Sequence, residues 1–287
     1  MDFLDHIRLS NDHDPGRFRP FLVDGRQVGK VLPEVVRALR EWPAVFEAGP
    51  GGGVALARGV QGFEARTRAV AGVLPALVER GLLERVKGEP YAVTHSTPER
   101  ALFLVDRGAA ALLGIRTFGQ HLNGYVHDGD RLHLWVARRA LDRISYPGKL
   151  DNLVAGGLPY GITLADNLAK ECREEAGIAA DLAARARPVG AVTYNRDSAQ
   201  GFKPDTLYCY DLALPPDFEP RCTDGEVESF HLWPLDRVAE TLRGGEAFKR
   251  NVNLVMIDFL VRHGFLGPER PDYLELVTGL RPRTYGP

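Results

Sequence analysis

The sequence is poor in cysteine, in long apolar runs and in any excess of one charge sign, and each shortage excludes something. Its three cysteines, Cys172, Cys209 and Cys222, form no C-x-x-C pair and no zinc spacing, which argues against a disulfide scaffold or a zinc site. An odd number of isolated thiols fits a reducing cytoplasm, the location we expect, and Cys172 and Cys209 read as small core residues. No apolar stretch approaches the ~18 residues of a membrane span. The opening Met1-Asp2-Phe3-Leu4-Asp5-His6-Ile7-Arg8 lacks the basic and apolar regions of a secretory signal. With 36 Lys and Arg against 38 Asp and Glu the net charge is −2, so no overall positive field recommends nucleic acid or a membrane surface as a partner. What is present, 44% hydrophobic and 26% charged residues over 287 positions, is a globular composition with length for about two domains.

The two halves of the chain differ in pattern. Residues 21 to 31 read as a hairpin turning at Asp24-Gly25, followed by a helix from Glu34 to Trp42 behind Pro33. The Gly- and Pro-rich stretch 43 to 61 reads as a loop, and an amphipathic helix runs from about Glu64 to Glu79, stopped by Gly81. A short strand at Tyr91 to Val93 and a helix or turn over Pro98 to Leu104 follow. This part has no acid cluster, and residues 1–115 read as a small α+β accessory domain that shapes one wall of a substrate pocket. Residues 116–287 are richer in strands. Gln120 to Val126 and Leu132 to Ala137 make a hairpin across Asp128-Gly129-Asp130. Strands at Pro188 to Tyr194, Thr206 to Leu212 and Glu226 to Trp233 follow, then helices at Leu235 to Leu242 and Asn251 to His263.

The chemistry concentrates between Gly156 and Ile178. Thr163 is placed to cap a helix, with Asp166 three residues on, and Gly177 is placed to end it. Within the helix Leu164, Leu168, Glu171 and Glu175 follow one another on one face, flanked by Glu174. A stripe that starts apolar thus ends in three carboxylates, whose repulsion of a few tenths of a kcal/mol per pair needs an offset. A hard divalent cation supplies one, and Mg²⁺ bound by few carboxylates completes its shell with substrate phosphates. The plainer alternative is a solvated acidic face with a Lys170–Glu174 surface pair.

With its flanking glycines the stretch resembles the Nudix box, G-x5-E-x7-R-E-U-x-E-E-x-G-U, where U is a bulky aliphatic. Glu171, Glu174, Glu175 and Gly177 fall on the motif acids and glycine, Ile178 on the final U, Gly156 on the opening glycine and Gly161 on the glycine before the first glutamate. Ile162 replaces that first glutamate and Lys170 replaces the arginine, keeping charge but losing the bidentate fork. Residues 119–125, 146–157, 224–230 and 248–251, with Phe21 to Lys30, are similar to one Nudix subfamily that carries an extra N-terminal domain. That subfamily is related to the Nudix part of fungal thiamine pyrophosphokinases. The resemblance implies an α/β/α sandwich on a mixed sheet after the α+β domain, and a metal site on Glu171, Glu174 and Glu175 holding Mg²⁺ or Mn²⁺. It also implies hydrolysis of thiamine diphosphate, or of its oxo and oxy forms, to the monophosphate.

Around this core, Glu174 and Glu226 are the expected catalytic acids, with Glu226 a further ligand or a base for water, or else part of an ordinary acidic turn. Glu226 and Glu228 alternate on one strand face. Arg138, Arg139, Lys149 and Lys249 are candidates for binding phosphate, or form a solvated basic rim. Asn251 reads as a helix cap, and His121 and Asn123 as substrate contacts or satisfied core groups. Among Tyr125, Trp135, Tyr160 and Tyr194, Tyr160 is the preferred platform for a heteroaromatic ring because it lies between the box glycines Gly156, Gly157, Gly161 and Gly177. The expected partner is a small diphosphate, with a homodimer left open. An ADP-ribose or nucleoside diphosphate sugar hydrolase is the alternative specificity, and the substitutions Ile162 and Lys170 keep a non-catalytic Nudix-fold sensor as an alternative class.

Overall fold

A computed structural model of the chain describes residues 1–284. Helix α1 (Phe3–Ser10) begins with Asp2 and Asp5 capping each other's backbone. Strands β1 (Arg19–Val23) and β2 (Arg26–Val31) form the expected hairpin, with Asp24 and Gly25 both at positive φ, and α2 (Pro33–Leu39) follows. The stretch expected to be a loop contains β3 (Phe46–Ala48) and β4 (Val54–Leu56). These complete a four-stranded sheet of order β2-β1-β4-β3, in which β4 runs parallel to β1. Three-residue strands carry too little periodicity to be read locally; the pairing of β4 with β1, and of β3 with β4, holds them. Helix α3 (Phe63–Glu79) continues through Pro75. Beyond it β5 (Pro90–Val93) pairs with β6 (Phe103–Asp106), so only Pro98–Arg100 of the expected helix or turn is helical.

The larger sheet has seven strands. They are β7 (Thr117–Asp128), β8 (Arg131–Arg139), β9 (Leu150–Asp151), β10 (Val154–Gly157), β11 (Arg187–Ser198), β12 (Gly201–Ala213) and β13 (Val227–Pro234). Their order is β11-β12-β7-β8-β13, with β10 beside β7 and β9 beside β8. The β12–β7 pair is parallel, which makes the sheet mixed. On one face lie α4 (Leu164–Ala176) and the short α5 (Ala180–Ala183), where Leu168, Cys172 and Ala176 meet Leu122, Val154 and Leu212. The other face is covered by α6 (Leu235–Arg243), α7 (Arg250–Arg262) and α8 (Tyr273–Gly279). The protein is therefore a mixed α+β chain, with an α/β/α sandwich preceded by a separate α+β region. Helix α1, first in sequence, packs Phe3 and Ile7 into the core of α7 and α8. An eight-residue helix cannot bury an apolar face alone, and the cover it finds lies some 250 residues away.

Candidate active site

Helix α4 is set by its ends. The Thr163 hydroxyl accepts from the Asp166 amide at 3.1 Å, and Gly177 closes the helix at φ 65°. Edge strand β10 runs beside the acidic end. Its Ala155 N–H donates to Glu175 Oε2 at 2.8 Å. Gly156 leaves room for Glu171, whose carboxyl carbon would lie 2.5 Å from a Cβ there. Burial raises the Glu171 carboxyl, opposed by Lys170, and raises Glu175 well above its ordinary value, opposed by the Ala155 hydrogen bond. Between the acids stands the Lys170 ammonium, 3.2 Å from both Glu171 Oε1 and Glu174 Oε2. Burial lowers the Lys170 pKa, but these two carboxylates outweigh it and the net shift is upward.

Among the described residues, no group of three His, Cys, Asp or Glu side chains converges closely enough to hold an ion as it stands. The donor chemistry nevertheless fits a hard cation. Glu171 and Glu174 already share one positive charge, and desolvated carboxylates held above their usual pKa gain most from a divalent ion. Glu171, Glu174 and the free oxygen of Glu175 are the groups that would hold it.

These acids open onto a cleft of about 1320 Å³ between the large sheet and the N-terminal region. Of the expected phosphate binders, Arg139 and Lys249 line it. Both contact the buried Asp151 Oδ2, at 3.0 and 3.3 Å. Burial would raise the Asp151 carboxyl, but Lys249, His121 and Arg139 together bring it below its ordinary value. Arg138 and Lys149 do not reach the cleft: Arg138 donates to the Gly148 carbonyl and Lys149 to that of Glu246. Neighbouring residues on a strand point to opposite faces, so Arg138 and Arg139 were never both available. Tyr160, the preferred platform, packs on Phe63 instead, with ring centroids 5.7 Å apart, whereas Tyr194 does line the cleft.

Glu226 also lines the cleft and is paired with Arg143 at 2.8 Å. It precedes β13, and a register shift between Val227 and Ser229 breaks the alternation read for Glu226 and Glu228, leaving Glu228 exposed. Asn251 caps nothing: Lys249 holds the N-cap position of α7 without a side-chain bond, and Asn251 faces the cleft from the first turn. His121 is 3% exposed and bonded to Asn152 at 2.7 Å, and burial depresses its pKa to about 4. Asn152 in turn donates to Asn123, which donates to Asp211, so both sequence candidates are hydrogen-bonded polar groups of the sheet, and His121 also lines the cleft. Cys172 and Cys209 are buried thiols with pKa pushed up to about 12 by desolvation.

Several residues at or behind the cleft escaped the sequence reading. Asp151 lies inside a motif stretch but reads as an ordinary strand acid. Tyr91 and Arg107 come from the N-terminal region; the Tyr91 hydroxyl would lie 2.5 Å from a Cβ at Gly157, and Arg107 pairs with Glu89 at 3.0 Å. Asp205 belongs to the strand paired with β7. None of these has a local signal beyond its charge or ring.

A mixed sheet between helices, with carboxylates from one helix opening onto a cleft lined by acidic and basic side chains alike, defines the class as an α/β/α protein with an acidic helix at its candidate site. Comparison with known proteins narrows the class. The NUDIX domain model matches residues 121–253, and a domain of unknown function, DUF4743, matches residues 2–117. Nudix hydrolase 20, chloroplastic, of Arabidopsis thaliana is 45% identical over 277 residues, covering 93% of this chain and 74% of the relative. Nudix hydrolase 24, chloroplastic, of the same plant is 44% identical over 267 residues, with 93% and 73% covered. A solved protein of Deinococcus radiodurans, DR0079, superposes on 56% of this chain and 91% of its own at 18% identity, with a TM-score of 0.43. The chain belongs to the Nudix hydrolase family. No helix among the described residues is long and apolar enough to cross a membrane.

Proposed function

We propose that the protein hydrolyses a phosphoanhydride bond of an organic diphosphate, with thiamine diphosphate or its oxidised analogues converted to the monophosphate, in the presence of Mg²⁺ or Mn²⁺. One observation carries the reading. Four stretches similar to the thiamine-related Nudix subfamily, residues 119–125, 146–157, 224–230 and 248–251, are scattered over more than a hundred positions, yet all contribute to one cleft with the α4 acids. Glu171, Glu174 and Glu175 hold the divalent ion, which when bound neutralises the diphosphate and acidifies water. Arg139 and Lys249 lie on the path of the phosphates, their charge already partly committed to Asp151. Glu226 serves as base for the attacking water, oriented by Arg143. A cytoplasmic setting belongs to the same reading and is supported by the unpaired, buried state of Cys172 and Cys209.

The test is a Mg²⁺-dependent screen of thiamine diphosphate, its oxo and oxy forms, ADP-ribose and nucleoside diphosphate sugars, with products identified by mass. Thiamine monophosphate or its analogue plus phosphate is the expected product pair. Preferential release of AMP from ADP-ribose replaces the substrate assignment, and absence of any cleavage overturns the reading.

A further inference from the structure

One acid in the cleft has no part in the hydrolysis. Asp205 on β12 stands in register with Thr117 on β7, is 7% exposed, and lines the cleft on the sheet face opposite α4. One carboxylate oxygen accepts from the Thr117 hydroxyl and the other from the Tyr194 hydroxyl. No Lys, Arg or His side chain among the described residues lies at ion-pair distance from it. A carboxylate offers about four acceptor positions, so roughly half of this one is unused. A buried charge in that state is costly until donors fill the remainder.

Register places Asp205 relative to the acids of α4. Gly156 pairs with Gln120, and Gln120 with Tyr208, so Asp205 is two strands across from Gly156 and three residues along. Strand spacing near 4.8 Å and a rise near 3.3 Å per residue make this on the order of 15 Å, within reach of a diphosphate extended by linked rings. The row between them is bare: Gly157, Gly119 and Leu207 are in register, and two of the three lack a side chain. Over Gly157 stands the Tyr91 hydroxyl. The floor is flat and one wall is aromatic, which suits a planar ring. Positive charge is already near, since Arg196 and Lys203 line the same end and Arg196 Nη2 reaches the Tyr146 hydroxyl at 3.4 Å. Asp205 therefore calls for hydrogen-bond donors more than for a fixed cation.

We propose that Asp205, oriented by Thr117 and Tyr194, accepts a hydrogen bond from an N–H donor of a planar nitrogen heterocycle at the organic end of the diphosphate, so that it sets specificity. The inference rests on the diphosphate reading of the cleft. Thr117 and Tyr194 are positioning residues, because they fix which lone pairs of the carboxylate face the ligand.

The test measures binding calorimetrically, with calcium replacing magnesium to slow turnover. The ligands are thiamine diphosphate and an analogue in which a methyl group replaces the pyrimidine amino group. The wild-type protein is expected to bind the amino ligand about 10- to 100-fold more tightly, the range for a hydrogen bond to a charged group. Asp205→Asn should bring the two affinities together while leaving that for the methyl ligand unchanged, which also shows the variant folded. Equal wild-type affinities, binding of neither ligand, a preference that survives in the variant, or an equal loss for both ligands overturns the proposal. Should the variant fail to fold, the wild-type comparison alone decides. Hydrolysis is scored separately: discrimination without cleavage of thiamine diphosphate removes the proposed substrate and leaves the role of Asp205 standing, and cleavage without discrimination does the reverse.

Discussion

Replacing Gly156 by alanine isolates the position of one carboxylate. Gly156 does not have a positive φ, so the substitution carries no left-handed backbone penalty. The added Cβ would lie 2.5 Å from Glu171 Cδ, 2.7 Å from Cγ and 2.8 Å from Oε1, where ordinary contact begins at 3.4 Å. The Glu171 carboxyl must therefore withdraw by about 1 Å, a displacement that costs on the order of 100-fold when it misplaces a reacting group. The moving atoms are the far end of a flexible side chain, so the strain falls at or below the low end of overpacking costs, about 1 kcal/mol. Gly156→Ala is thus expected to lose about 100-fold in turnover, with a much higher Mg²⁺ requirement and a melting temperature lowered by only a few degrees. Steady-state kinetics across a Mg²⁺ titration, beside a thermal melt, measure both quantities. Turnover and Mg²⁺ dependence within twofold of wild type would mean that Glu171 is not held against Gly156 in the working enzyme.

Further outcomes separate the neighbours of that site. Glu174→Gln should lower turnover by about 100- to 1000-fold with an unchanged melt; unaltered turnover would place the metal elsewhere. Gly157→Ala pushes on the Tyr91 hydroxyl, 2.5 Å away, so KM should rise more than kcat falls, and the reverse pattern refutes the N-terminal wall. Arg139→Ala leaves the buried Asp151 with Lys249 alone and should cost about 3 kcal/mol in urea unfolding. Arg138→Ala removes one bond to the Gly148 carbonyl and should cost only about 1 kcal/mol; equal costs would contradict the opposite facing of the pair. His121 is held neutral in the fold, with its pKa depressed to about 4. The unfolded chain takes up this proton near 6.5. The stability His121 contributes is thus present above pH 6.5 and is lost as pH falls towards 4, by up to about 3 kcal/mol. His121→Gln should flatten that part of the stability profile, and an unchanged slope assigns it to other groups.

Periodicity and punctuation made much of the molecule legible. Thr163 and Gly177 bound α4, the 3.6-residue repeat aligns Leu168 with Glu171 and Glu175, and Gly129 turns β7 into β8. These signals are local, because capping, helical spacing and tight turns depend on residues a few positions apart. The same locality explains the errors. The pairing of β4 with β1 and the docking of α1 onto α7 and α8 are contacts between distant segments, for which no short window holds a pattern. The bulge at Glu228 is a mismatch between two strands and exists only once β13 lies on β8.

Charge behaves likewise. Three glutamates on consecutive turns can be counted in the sequence, and so can a lysine beside them. The burial that raises Glu171 and Glu175 comes from laying α4 along the edge of β10, whereas the Lys170–Glu174 pair is local to the helix. Likewise, Asp205, Tyr91 and Arg107 acquire meaning because two sheets and their loops enclose one volume, and Asp151 because it holds Arg139 and Lys249 at its wall. The order of residues along the chain dictated which helix carries the acids. Electrostatic field and desolvation depend on distances through space, so what those acids can do was settled when remote strands came together.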